Sequence, residues 1–234
     1  MKNTLIIGMG EIGKSLSKVF HDAGYSVMTK DSGNVYDGDM FEEVDVMHIC
    51  MPYSPNFVDL VKQYQAFNKP KFTVIHSTVP IGTSRECQAI HSPVIGVHPY
   101  LAESIKTFTK YLGGENASEV ADYFRRANIK VYLTDKSETT ELMKMLCTTK
   151  YGIDIEYVKD VKKQCEKYGV PFEMWTLWTE NYNKGYNELE QEQFTRPNLV
   201  PIMKKIDGHC VLPNTELIET EFTKLIRLLN SENK

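Results

Sequence analysis

Through its first half the chain alternates short apolar runs with amphipathic stretches, the rhythm of β-α-β units around a parallel sheet. "TLIIG" predicts a buried strand from its β-branched content. "EIGKSLSKVFHDAG" predicts a helix with Ile12, Leu16, Val19 and Phe20 on one face and Gly24 as its stop. "YSVMTKD" is the second strand, "VDVMHICMP" a third apolar run, "NFVDLVKQYQAF" a helix and "FTVIHSTVP" a further strand; "SPVIGVHP" and "KVYLTD" complete the set.

From about Ser137 the pattern is helical only. Leu142, Met145, Leu146, Thr149, Ile153, Val161 and Cys165 keep helical spacing up to Gly169, and Ser137 with Thr140 and Glu141 gives a capping signal at the start. A second helix starts at Pro171, and Asn214 or Thr215 is expected to cap a terminal one.

The turn after the first strand, "GMGEIGKS", satisfies two phosphate-binding patterns. Gly8, Gly10 and Gly13 spell the dinucleotide fingerprint; Gly8, Gly13, Lys14 and Ser15 spell a P-loop. Asp31 decides between them. It closes the second strand where a carboxylate would accept the ribose hydroxyls, whereas "VMHICMP" and "FTVIHS" both lack the closing aspartate that a P-loop enzyme needs for its metal. The expected cofactor is therefore NAD, favoured over NADP by the charge of Asp31, with Lys30 beside it softening the preference. The expected contacts are Gly8, Gly10, Glu11, Ile12 and Gly13 in the turn, then Asp31, Met51, Pro52, Ser77 and Thr78. The fold expected is α/β, a Rossmann-type doubly wound parallel sheet over residues 1–136, followed by a smaller all-helical domain over 137–234 that serves substrate binding and dimerisation.

Composition narrows the partners. A net charge of −4 with scattered Lys and Arg gives no nucleic-acid surface, and no apolar run approaches the ~18 residues of a membrane span. The N-terminus lacks a signal-peptide pattern, so a cytoplasmic protein with a small-molecule substrate is expected. The five cysteines form no C-x-x-C pair, and neither a disulfide framework nor a metal site is expected.

Three segments, "HSTVPIGTS" at 76–84, "ELMKMLCTTKYGIDIEY" at 141–157 and "DGHCVLPN" at 207–214, together with the fingerprint resemble the UDP-glucose/GDP-mannose dehydrogenase family in order and spacing. The resemblance implies a cysteine that attacks an aldehyde formed by a first NAD-dependent oxidation, then a second hydride transfer and thioester hydrolysis. Cys210 falls on the nucleophile, Lys144 on the helix lysine that stabilises the oxyanion, and Thr78 on the threonine of the S-T-V-P segment. A thiolate is a strong nucleophile, and an ammonium steadies negative charge on oxygen. Thr148, Asn214 and Tyr100 stand where the family has asparagine, aspartate and glutamate. An amide cannot take a proton as a carboxylate does, which leaves one-step and two-step oxidation both open. The family's further domain, which holds the nucleotide half of its substrate, has no counterpart here, so a smaller substrate or a partner chain is expected.

"GVHPYLAE" also resembles the G-x-H-P segment of prephenate dehydrogenases, with His98 polarising the substrate, and Lys144 fits the helix lysine of β-hydroxyacid dehydrogenases. A single hydride transfer with Lys144 or His98 handling the proton, or an NAD-binding protein without catalysis, are the alternatives. Lys144 shares a helix face with Thr148 and Tyr151. Packing accounts for Cys50, Cys87, Cys147 and Cys165. Trp175 and Trp178, at helical spacing, suit a core or a homodimer seam.

Overall fold

The computed structural model describes residues 2–33, 35–97, 99–208 and 210–232. Two compact units divide the chain, Met1–Lys144 and Met145–Lys234. In the first lie β1 (Asn3–Ile7), α1 (Glu11–Asp22), β2 (Ser26–Lys30), β3 (Tyr36–Gly38), β4 (Val46–Ile49), α2 (Phe57–Asn68), β5 (Phe72–Ile75) and α3 (Thr83–Glu86). They are followed by β6 (Ile90–His91), α4 (Leu101–Thr107), β7 (Lys110–Gly113), α5 (Ala117–Arg126), β8 (Val131–Thr134) and the first turns of α6 (Ser137–Tyr168). The second unit holds the rest of α6, α7 (Glu173–Glu188), a 3-10 turn at Glu192–Phe194, α8 (Val211–Leu217) and α9 (Glu221–Glu232).

The sheet order is β3-β2-β1-β4-β5-β6-β7-β8. Strands β1, β2, β4, β5 and β6 run parallel; β3 is antiparallel to β2, and the parallel β7–β8 pair is antiparallel to β6. The winding reverses between β1 and β4, which opens a crevice at the carboxyl ends of those strands. Both faces are covered, which is why these strands read as continuous apolar runs. Ile6, Val46 and Val74 pack with Leu16, Phe20, Val120 and Phe124 on one side, and Leu5, Ile7, Met47 and Ile49 with Phe57 and Val61 on the other.

Several local expectations change. Of "SPVIGVHP" and what precedes it, only Ile90–His91 pairs as a strand; the Ser92 N–H still reaches the Ile75 carbonyl at 2.8 Å, and residues 93–97 leave the ladder, where Pro93 has no N–H to give. Strand β7 has no counterpart in the pattern because it opens on a polar residue, Lys110. Asn214 and Thr215 lie inside α8 rather than at a helix start. The terminal helix α9 is capped instead by Thr220, whose hydroxyl accepts the Thr223 N–H at 3.1 Å while the Thr223 hydroxyl accepts the Thr220 N–H at 2.9 Å. In the second unit a Cβ on Gly152 would meet Val211 at 2.7 Å and Ile226 at 2.9 Å, so α8 and α9 close on α6 at this glycine. Trp175 packs edge-on to Tyr157, but Trp178 is 68% exposed and Cys147 is exposed, so packing within the chain accounts for neither.

A chain of hydrogen bonds crosses the core of the first unit. The Ser92 carbonyl can only accept, so His76 Nδ1 carries the proton in their 2.7 Å bond. His76 Nε2 then accepts from His48 Nδ1 at 2.8 Å, His48 Nε2 from the Tyr123 hydroxyl at 2.8 Å, and Tyr123 from Thr4 at 2.7 Å. Every ring in the series is neutral, and every donor points one way. Burial pushes His48 and His91 down to about 3 and His76 well below its ordinary value.

These depressed values set the acid response. Below the ordinary pH 6.5 the unfolded chain protonates the rings while the folded chain does not, so stability is full above 6.5 and is lost as pH falls toward 3. Unfolding at pH 5 should take up about three protons on these rings, measured by calorimetry in buffers of different ionisation enthalpy; no uptake would mean that they are charged in the native state.

Candidate active site

Each fingerprint glycine answers a different constraint. Gly8 has a φ of +93°, and a Cβ there would lie 2.7 Å from the Met51 nitrogen; a Cβ on Gly13 would run into the Gly8 carbonyl. Gly10 is different, with open space where its Cβ would be. It is the N-cap of α1, and no side-chain hydrogen bond caps it. The first-turn N–H groups therefore face a clear approach suited to an anion. Lys14 is exposed on the first turn of α1, and Glu11 and Ile12 stand at its start. Asp31, just past β2, is exposed and accepts the Met9 N–H at 3.3 Å, which fixes its carboxylate beside the turn. The Lys30 ammonium is turned onto the Gly33 carbonyl at 3.1 Å and over the Tyr36 ring.

The carboxyl ends of β4 and β5 are tied together by the Ser77 hydroxyl, which donates to the Met51 carbonyl at 2.6 Å. Met51 is half-buried, Pro52 is exposed, and Thr78 is half-buried with its hydroxyl in no hydrogen bond among the described residues. Desolvation pushes the Cys50 thiol up to about 12 and the Cys87 thiol up to about 11, so both stay protonated at neutral pH.

The segment "HSTVPIGTS" is fastened to α6 at both ends. His91 Nε2 donates to the Ser77 carbonyl at 3.2 Å, and its Nδ1 accepts from Thr140 at 2.8 Å. The buried Glu141 carboxylate accepts the N–H groups of Gly82 at 2.6 Å and Ser84 at 2.8 Å, capping α3. Glu141 thus caps a helix other than its own, contrary to the capping signal. The spacing gave no hint of this, because the partner lies 59 residues away. One turn on, the Lys144 ammonium donates to the Val94 carbonyl at 2.9 Å. Lys110 was also invisible in the pattern; it is buried and donates to the carbonyls of Ser92 at 3.0 Å and Pro93 at 3.2 Å.

Thr78 and Lys144 belong to the first unit, and Thr148, Cys210 and Asn214 to the second. Thr148 is buried one helical turn beyond Lys144 on α6. Cys210 is exposed at the N-cap of α8, and Asn214 is buried within that helix. His98 lies outside the described residues.

The sheet order and glycine turn define a Rossmann-type α/β fold followed by helices, and solved dehydrogenases share it. The UDP-D-ManNAc dehydrogenase of Pyrococcus horikoshii matches with a TM-score of 0.77 at 16% identity, covering 98% of this chain and 68% of that one. A UDP-glucose dehydrogenase of Pyrobaculum islandicum matches at 0.75 and 15% identity, covering 99% and 68%. The 3-hydroxyisobutyrate dehydrogenase of Mycobacterium tuberculosis, solved with L-serine, matches at 0.72 and 15% identity, covering 99% and 93%. No family model and no curated protein sequence matches. Among the described residues no helix is long and apolar enough to cross a membrane.

Replacing Glu141 by Gln leaves one buried N–H facing an amide donor. The variant should lose about 2 to 3 kcal/mol of stability in urea unfolding; a loss within error would show that water already serves the two N–H groups.

Proposed function

We propose that the protein is an NAD-dependent dehydrogenase that oxidises an alcohol carbon of a sugar or sugar-derived acid, the first unit binding the cofactor and the second serving the substrate. One observation carries the reading: an uncapped glycine turn at the switch point lies on the same carboxyl edge as an anchored lysine, Lys144. Bound NAD supplies the hydride acceptor. The residues present fit it, since Gly10 leaves room for a pyrophosphate, Asp31 offers a carboxylate to ribose hydroxyls, and Thr78 keeps an unengaged hydroxyl. The repulsion of a 2′-phosphate by Asp31 favours NAD over NADP.

In this reading Lys144, held by Val94, donates to the substrate oxygen and stabilises the negative charge that develops as the hydroxyl proton leaves. His98 takes up that proton as the general base. Cys210, exposed at the head of α8, is the nucleophile for an aldehyde product if oxidation continues. A single hydride transfer is the second reading, and it is favoured by Asn214, a buried amide where the hydrolytic route of the resembled family has a carboxylate. The 3-hydroxyisobutyrate dehydrogenase match in length and fold is consistent with it. The exposed Trp178, Leu177 and Met174 on α7 support a homodimer through the helical unit; a monomer in light scattering at working concentration would remove that part.

Calorimetry with NAD, NADP and ATP tests the cofactor. NAD should bind best, and Gly10→Ala, which the open space tolerates, should weaken it about tenfold or more while the fold persists. Failure to bind either dinucleotide would sink the dehydrogenase reading. With a panel of nucleotide sugars and hydroxy acids, two NADH per substrate supports the cysteine route and one supports single oxidation. Cys210→Ser should abolish only the second.

A further inference from the structure

Lys110 is a buried lysine whose chemistry the proposed reaction does not use. It opens β7, which runs antiparallel to β6, so its side chain sits level with the residues that follow β6 at the carboxyl edge. It is 4% exposed and has no carboxylate within ion-pair distance among the described residues, unlike the buried Lys159, which pairs with Glu156 at 2.9 Å. Its ammonium instead donates to two successive main-chain carbonyls, Ser92 and Pro93. The next carbonyl along, Val94, is the one that receives Lys144. Two lysines from different elements therefore hold three consecutive carbonyls just past β6, where the last bond to a neighbouring strand is that of the Ser92 N–H to the Ile75 carbonyl at 2.8 Å.

We propose that Lys110 is a positioning residue for Lys144, clamping the Ser92 and Pro93 carbonyls so that Val94 presents its carbonyl to the Lys144 ammonium in one place. The proposal rests on the reading that Lys144 meets the substrate oxygen. The physical need is plain. Ser92, Pro93 and Val94 are buried, and Pro93 has no N–H with which to join a neighbour. The Ser92 carbonyl uses one lone pair on His76 and the other on Lys110, so the clamp is also the far end of the chain that begins at Thr4. Without Lys110 the Pro93 carbonyl has no donor among the described residues, and the segment must shift to find one. The Val94 carbonyl shifts with it.

The two ammonium groups also sense each other. The titratable groups around Lys110 are the Cys50 thiol, the His48, His76 and His91 rings and Lys144. Burial first, and the Lys144 charge with it, push Lys110 down to about 7. Deprotonation of Lys110 as pH rises through 7 therefore removes a positive charge that faces Lys144.

Isotope-labelled lysine NMR reads this without a substrate, following the side-chain nitrogen of Lys144, assigned by its loss in Lys144→Met. In the unsubstituted chain its signal should move in step with the titration of Lys110 near pH 7. In Lys110→Met, shown to be folded by its melting transition, the signal should shift and cease to respond in that range. A Lys144 signal that stays flat through the Lys110 titration overturns the proposal, as does one unchanged in folded Lys110→Met. Where turnover is measured, Lys110→Met should lower kcat about tenfold to a hundredfold with NAD affinity unchanged, and an unaltered kcat overturns it too. Full turnover in Lys144→Met would instead sink the reading of Lys144 as the residue that meets substrate, leaving the NMR coupling to be judged separately.

Discussion

The hydrogen-bonded series Thr4–Tyr123–His48–His76–Ser92–Lys110 is the constraint on which the first unit turns. It crosses β1, β4 and the ends of β5 and β6 in their order in the sheet and finishes on β7. In a core otherwise built from Ile, Leu, Val and Phe, each of these polar groups would be costly if left without a partner. Because each is satisfied in only one register, the series specifies how the strands align, which apolar packing alone does less sharply.

From that series the carboxyl edge inherits its order. His76 immediately precedes Ser77 and Thr78, so fixing its ring fixes where those residues begin. His91 and Glu141 then fasten the same segment to α6, and Lys144 follows one turn later. The lysine and the S-T-V-P segment, 66 positions apart from Thr78 to Lys144 in the numbering, are thereby parts of one assembly. The glycine turn belongs to it as well, since a Cβ on Gly8 would run into the backbone of Met51, whose carbonyl takes Ser77.

Much of this was written locally in the chain. The strands β1, β2, β4 and β5, the helices α1, α2, α6 and α7 and the three fingerprint glycines follow from periodicity, breakers and backbone sterics, which act within a few residues. Asp31 was legible for the same reason, because it closes a strand at a fixed interval from the turn. Only the tertiary structure decided the rest. It left residues 92–97 of "SPVIGVHP" outside the strand that ends at His91, made Lys110 the start of a buried strand, and turned Glu141 from an expected cap of its own helix into the cap of α3. In each case the deciding partner lies far along the chain, and a buried carboxylate or ammonium reads as a surface residue until the groups that satisfy it are known.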